Sequence, residues 1–211
     1  EVSTSKTQSV ATATLHTDGT LEADIQSRFT GLEAAHQRRD FSMAADSATY
    51  VSNKAQELEC EIESLTLTGH QGLGANMGRQ MHITRQCDVA GDMIYVNPLV
   101  LKIMGDNPLT DETRILPVEF PCITSETLNT QIHLPDGYVV EELPKPLVMK
   151  NEDGSLSCQI ASQANDGILS TVCQIQIGKT FFAANDYSIV KNFLDELCKR
   201  VQDVVVIKKA Q

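Results

Sequence analysis

Apolar and polar residues alternate one for one through most of this chain, and tight turns cut the alternation into strand-length pieces. Leu128, Thr130, Ile132 and Leu134 alternate with polar neighbours and run into Pro135-Asp136-Gly137. Proline presets one backbone angle and glycine accepts a positive φ, so the triplet is a turn. Tyr138-Val139-Val140 then reads as a β-branched and aromatic strand, which Pro144 and Pro146 stop. Two strands meet here at a tight corner. The stretch dictates architecture and carries no chemistry.

The same period recurs on both sides. Residues 8 to 16 read as a Thr- and Val-rich strand, and Asp18-Gly19 is a hairpin signal. Leu21, Ala23, Ile25 and Phe29 then share one face, with Glu22, Asp24, Gln26 and Arg28 on the other, the pattern of a sheet with one wet side. Further on, Ser64 to Thr68, Met81 to Val89, Met93 to Val96, Leu147 to Met149, Leu156 to Ile160 and Leu169 to Ile177 read as strands. Arg114 to Pro121 reads as an apolar strand with a proline inside, which belongs at a sheet edge or a bulge. Hairpin following hairpin predicts a mainly β (α+β) chain built as an antiparallel β-sandwich.

Two segments depart from this rhythm. Residues 32 to 58 are rich in Ala, Gln, Glu, Lys and Arg and predict a helical insertion, interrupted at Asp40-Phe41-Ser42, with Ser42 capping a second helix. Near 186 to 202, Tyr187, Val190, Leu194, Leu197 and Val201 recur at spacings of three and four, which predicts a helix lying on the sandwich, capped by Asp186. Val204 to Ile207 closes the chain as a strand. Residues 1 to 7 read as a polar tail or linker, and 8 to 211 as one large module. Residues 99 to 113 form an irregular connection at which two subdomains would divide.

Charge and length exclude some functions. A net charge of −11 disfavours nucleic acid and anionic membrane surfaces and favours solubility. No apolar run approaches the ~20 residues of a membrane span. The sequence opens on Glu1 with neither a methionine nor a signal peptide, which predicts a processed protein or an excised fragment.

Candidate chemistry is sparse. Cys60, Cys87, Cys122, Cys158, Cys173 and Cys198 form no Cys-x-x-Cys pair and no zinc-spaced Cys/His cluster, so neither a metal nor a cofactor is expected. Most fall in apolar patterns, where a free cysteine acts as a small buried hydrophobe; disulfides and a reactive thiol are the alternatives. His70 and His82 are isolated, with no carboxylate partner in register, and with His16, His36 and His133 they are the histidines a cysteine could pair with. Arg38 and Arg39 make a small basic spot, read as a solvated helix end rather than an anion site. Gly69, Gly72, Gly74 and Gly78 match no phosphate-binding fingerprint and read as a mobile hairpin loop.

The order Leu134-Pro135-Asp136-Gly137-Tyr138-Val139-Val140-Glu141-Glu142-Leu143-Pro144 resembles the C-terminal part of a family of bacterial, usually exported, transglutaminase-like proteins. Gly91-Asp92, Tyr95-Val96-Asn97-Pro98, Arg114-Ile115-Leu116-Pro117, the helix from Tyr187 and Val206-Ile207-Lys208-Lys209 follow the same order. The resemblance implies a domain of unknown function at the end of a chain whose middle domain is papain-like and carries the Cys, His and Asp triad. Nothing in this sequence matches that triad, so no catalytic residue is carried over. The implied role is a non-catalytic module that packs on the upstream transglutaminase-like domain, in a periplasmic or secreted protein. Two other readings stay open. One is an independent extracellular module binding protein or glycan, with the absence of Trp and only four Tyr counting against a sugar site. The other is an enzyme that pairs one of the six cysteines with a histidine.

Overall fold

The computed structural model describes residues 4–72, 74 and 76–210. In chain order the elements are β1 (Thr4–Leu15), β2 (Thr20–Thr30), α1 (Gly31–Met43), α2 (Ser47–Leu58), β3 (Glu61–Thr68), β4 (Asn76–Gln86), β5 (Asp88–Ala90), β6 (Met93–Val96), β7 (Val118–Glu119) and β8 (Ile123–His133). They continue with β9 (Tyr138–Glu142), β10 (Leu147–Lys150), β11 (Leu156–Asn165), β12 (Ile168–Ile177), β13 (Phe181–Phe182), α3 (Tyr187–Arg200), entered through a single 3-10 turn, and β14 (Val205–Lys209). The chain is mainly β.

One eight-stranded sheet, in the order β10-β11-β12-β8-β1-β2-β4-β3, carries the fold. A four-stranded sheet, β5-β6-β14-β9, and a two-stranded ribbon, β13-β7, accompany it. The large sheet is mainly antiparallel, as expected, and includes one parallel pair that the hairpin signals did not announce. β1 runs parallel to β8, with Thr4 opposite Ile123 and Thr14 opposite His133, and antiparallel to β2 on its other side. Local hairpin signals cannot reveal this pair, because strands distant in sequence form it.

Period-two alternation sets the inner face. Ala11, Ala13 and Leu15 of β1, Leu21, Ala23 and Ile25 of β2, Leu128 and Ile132 of β8, and Leu169 and Cys173 of β12 are all buried in one core. The same core holds Ile94, Val96, Val205 and Ile207 of the small sheet and Tyr187, Val190, Leu194 and Leu197 of α3. The helix stripe read from spacing is therefore the buried stripe. Thr130 adds a polar pin: its hydroxyl donates to the Pro98 carbonyl at 2.6 Å, tying β8 to the irregular segment that covers it. The corner at Pro135-Asp136-Gly137 carries the chain from the large sheet into the small one, since β8 and β9 lie in different sheets. Gly137 sits there at φ 76, where a side chain would be strained.

Several local expectations change. β1 begins at Thr4, so Thr4 to Thr7 are strand rather than tail; residues 1 to 3 lie outside the described residues. Serines make this possible on a buried face, because Ser5 Oγ donates to Thr30 O at 3.2 Å and Ser9 and Ser27 share a hydroxyl bond at 2.8 Å. Asp40-Phe41-Ser42 lies inside α1, and the break falls at 44 to 46. Asp46, not Ser42, caps α2 by accepting from the Thr49 amide at 2.7 Å. Ser42 Oγ instead donates back to Arg39 O. Asp186 precedes α3 without a side-chain cap bond. Of Arg114 to Pro121, only Val118 and Glu119 pair as strand, with β13. Gly78 belongs to β4 rather than to the glycine loop.

Candidate functional site

The cysteines come first, as the nucleophile candidates. All six are free thiols. Cys122, Cys158 and Cys173 are buried and the other three are half-buried. Burial pushes Cys87 and Cys158 up to about 11 and Cys173 up to about 12. Burial also raises Cys60 and Cys198. A thiolate nucleophile needs the opposite shift, from a neighbouring cation or a helix N-terminus. Arg85 does act on Cys60 and Cys87, and in both cases burial outweighs it. No histidine is among the groups acting on any of these five thiols.

Three of the histidines are engaged elsewhere. His82 Nδ1 lies 2.8 Å from Asp24 Oδ1, and its Nε2 lies 3.8 Å from Glu63. This corrects the expectation of no partner in register, because Asp24 and His82 are Cα partners across β2 and β4. The Asp24 hydrogen bond raises the His82 pKa. His16 pairs with Glu22 at 3.4 Å, and His70 stacks edge-on against Phe41. Arg38 is neither a free helix end nor an anion site: its guanidinium donates to the carbonyls of Gly69, Gly74 and Asn76 and clasps the glycine loop. Among the described residues no group of three or more His, Cys, Asp or Glu is placed to hold a metal ion.

Two of the concave places bear on binding. On the outer face of the large sheet, Thr66, Gln80, Gln26, Val10 and Asn129 form a row across five strands. A shallow depression of about 430 Å³ opens along it, lined by amides, hydroxyls, Val10, Arg28 and Arg79, with no aromatic side chain. The second is a cavity of about 220 Å³ between the sheet's inner face and α3. Ile103, Met104, Ile175, Ile177, Leu194 and Leu197 make its apolar walls, Ser5, Thr7, Thr124 and Ser125 line the rest, and Glu33 and Glu126 are its only carboxyl groups among the described residues.

Glu126 is the one strongly perturbed acid of this cavity. It occupies the β8 register that also turns Leu128, Thr130 and Ile132 inward, and it faces Thr7 of β1 and Ile175 of β12. Burial, and then the charge of Glu33, push its carboxyl up to about 7. Glu33 lies in the first turn of α1 and accepts from Gln37 Nε2 at 2.8 Å. An acid with a raised folded pKa disfavours the fold once ionised: stability is full below its unfolded pKa and falls as pH rises through about 7. Glu126→Gln therefore raises the melting temperature at pH 8 and leaves it nearly unchanged at pH 4, as paired thermal melts would show. Sequence reasoning passed over Glu126. Its signal was present, since counting back by twos from Ile132 puts a carboxylate on the apolar face.

Comparison with known proteins adds a family. A model for a domain of unknown function with a solved structure, DUF3858, matches residues 92–207, more than half of the chain. The chain belongs to the DUF3858 family. The matched part of this DUF3858 chain starts before β6 and ends in β14, so it covers β6 to β13, α3 and most of β14. It leaves out β1 to β4, which complete the large sheet. A crystal structure from Parabacteroides distasonis, described as that of a "putative protease", is similar at 15% identity with a TM-score of 0.41. The similarity covers 46% of this chain and 19% of that one. No curated protein matches the chain.

Proposed function

We propose that this DUF3858 chain is a non-catalytic C-terminal module of a longer transglutaminase-like or cysteine-protease-like protein, periplasmic or secreted, packing on and supporting the catalytic domain upstream. The observation that carries the reading is the set of thiols: every resolved shift is upward, and no histidine acts on any of them. The resemblance of the 134 to 144 stretch to the C-terminal part of transglutaminase-like proteins supplies the parent. A packing surface is available at the β7–β13 ribbon, where Ile115 is 93%, Leu116 61% and Phe181 55% exposed. Large apolar side chains held this far into water mark an interaction face.

The alternative, independent binding of protein or glycan, draws on the outer-face depression. Its lining of Gln, Asn and Thr suits hydroxyl-rich or peptide ligands, and the lack of an aromatic platform disfavours a sugar.

Replacing Leu116 and Phe181 together by Asp separates the two. Both side chains are exposed, so the isolated chain should lose no more than about 0.5 kcal/mol. In the full-length parent the same change should lower activity and split one thermal transition into two. Unchanged activity and an unchanged single transition in the parent would contradict the packing role.

A further inference from the structure

We propose that the cavity between the large sheet and α3 binds a primary ammonium ion on a short aliphatic chain, with the carboxylates of Glu126 and Glu33 holding the ammonium and the walls enclosing the chain. The walls come from three separate elements. Ile175 and Ile177 rise from β12, Leu194 and Leu197 descend from α3, and Met104 closes from the irregular segment. Such a surface recognises hydrocarbon. Its volume of about 220 Å³ lies below the ~300–1,000 Å³ of pockets for drug-sized ligands, which limits the ligand to a short chain.

The polar end is specified by charge. Among the described residues no hydrogen bond acts on the Glu126 carboxyl, and the one charge acting on it is the like charge of Glu33. Glu126 is half-buried, and a carboxylate whose charged neighbour is another carboxylate is relieved by a cation. Both Glu126 oxygens and Glu33 Oε2 make no hydrogen bond among the described residues; Glu33 Oε1 is taken by Gln37, and Oε2 lies 4.0 Å from His36 Nδ1, the further titratable group at this end. Three acceptors match the three donors of an ammonium. The titratable groups facing Glu126 are Glu33 from α1 and Cys173 from β12, with Cys158 of β11 next to Cys173; no charged side chain of α3 lines the cavity. The proposal is independent of the packing role above, because no residue of the β7–β13 ribbon lines the cavity.

Pentylammonium is the probe, titrated into the 211-residue chain and followed by methyl NMR at Ile175, Ile177, Leu194 and Leu197. Saturable shifts at these methyls are expected. Binding must displace the proton of a carboxyl that titrates near 7, so affinity should rise about tenfold from pH 6 to pH 8. Glu126→Gln should remove that pH dependence and weaken binding at pH 8 by about tenfold. Pentan-1-ol should give no saturable shift at equal concentration. The proposal is overturned by absent saturation with the amine, by equal binding of the alcohol, or by an affinity that is flat or strengthens toward low pH. If Glu126→Gln fails to fold, the wild-type Glu126 carboxyl decides, read by carbon NMR: the amine must lower its pKa, and an unmoved titration overturns the proposal.

Discussion

Ala11→Pro is expected to destabilise both halves of the chain at once, by roughly 3–6 kcal/mol. Ala11 is 1% exposed and sits mid-strand in β1, opposite Ile25 of β2 and Thr130 of β8. Proline deletes a backbone donor in the middle of a sheet and leaves a buried carbonyl unpaired, at about 1–3 kcal/mol. Its ring also forces extra carbons into a packed core, at about another 1–3 kcal/mol. The strained backbone near the ring adds to this. A fold of this kind is stable by only about 5–15 kcal/mol, so the loss is a large share. The informative part is where protection is lost. β1 joins β2, β4 and β3 on one side to β8, β12, β11 and β10 on the other. Amide exchange in β2 and in β8 should therefore accelerate together in the variant. If β8 and β12 keep their protection while β2 and β4 lose theirs, the large sheet is not one cooperative unit. The same result would show that the family-matched segment stands without β1 to β4.

Tyr187→Ala is expected to cost about 3–5 kcal/mol, the usual range for emptying a buried aromatic site. Tyr187 opens α3, is buried in the main core, and donates from its hydroxyl to the Asp111 carbonyl at 2.8 Å. It thereby fastens the irregular segment to the helix that lies on the sheet. Asn107 makes a parallel tie to Asp195 at 2.8 Å from the same segment. Tyr187→Phe keeps the ring and removes only the hydroxyl bond, so it should cost about 1 kcal/mol. Denaturant unfolding of the three proteins separates packing from hydrogen bonding. If Tyr187→Ala costs no more than Tyr187→Phe, the ring does not hold the helix in place.

Much of this architecture was legible because its cause is local. Period-two runs gave the inner faces of β2, β8 and β12, and spacings of three and four gave the buried stripe of α3. The corner at 135 to 137 was legible because proline and glycine determine it within three residues. What escaped depends on distance along the chain. Nothing near Thr4 announces that the N-terminal strand will lie against Ile123 to His133, so both the parallel pair and the inclusion of Thr4 to Thr7 were missed. Polar residues on a buried face are readable only with their partners, as with Ser9 and Ser27. The caps failed for a related reason. Ser42 and Asp46 are both good N-cap residues, and the choice falls to whichever lies where the backbone leaves the helix. Asp24 and His82 lie on strands far apart in sequence, and register alone brings them together. Glu126 differs, because its place on the apolar face was visible by counting, while its acidity depends on Glu33 and on a cavity built by α3.

The measurement that bears most directly on a non-catalytic module is thiol alkylation at neutral pH, native against denatured, read by mass spectrometry at each cysteine. With burial raising Cys60, Cys87, Cys158, Cys173 and Cys198, all six should react slowly in the native state and completely after denaturation without a reductant. One thiol reacting at native pH as fast as, or faster than, a free cysteine would contradict this and make that residue a nucleophile.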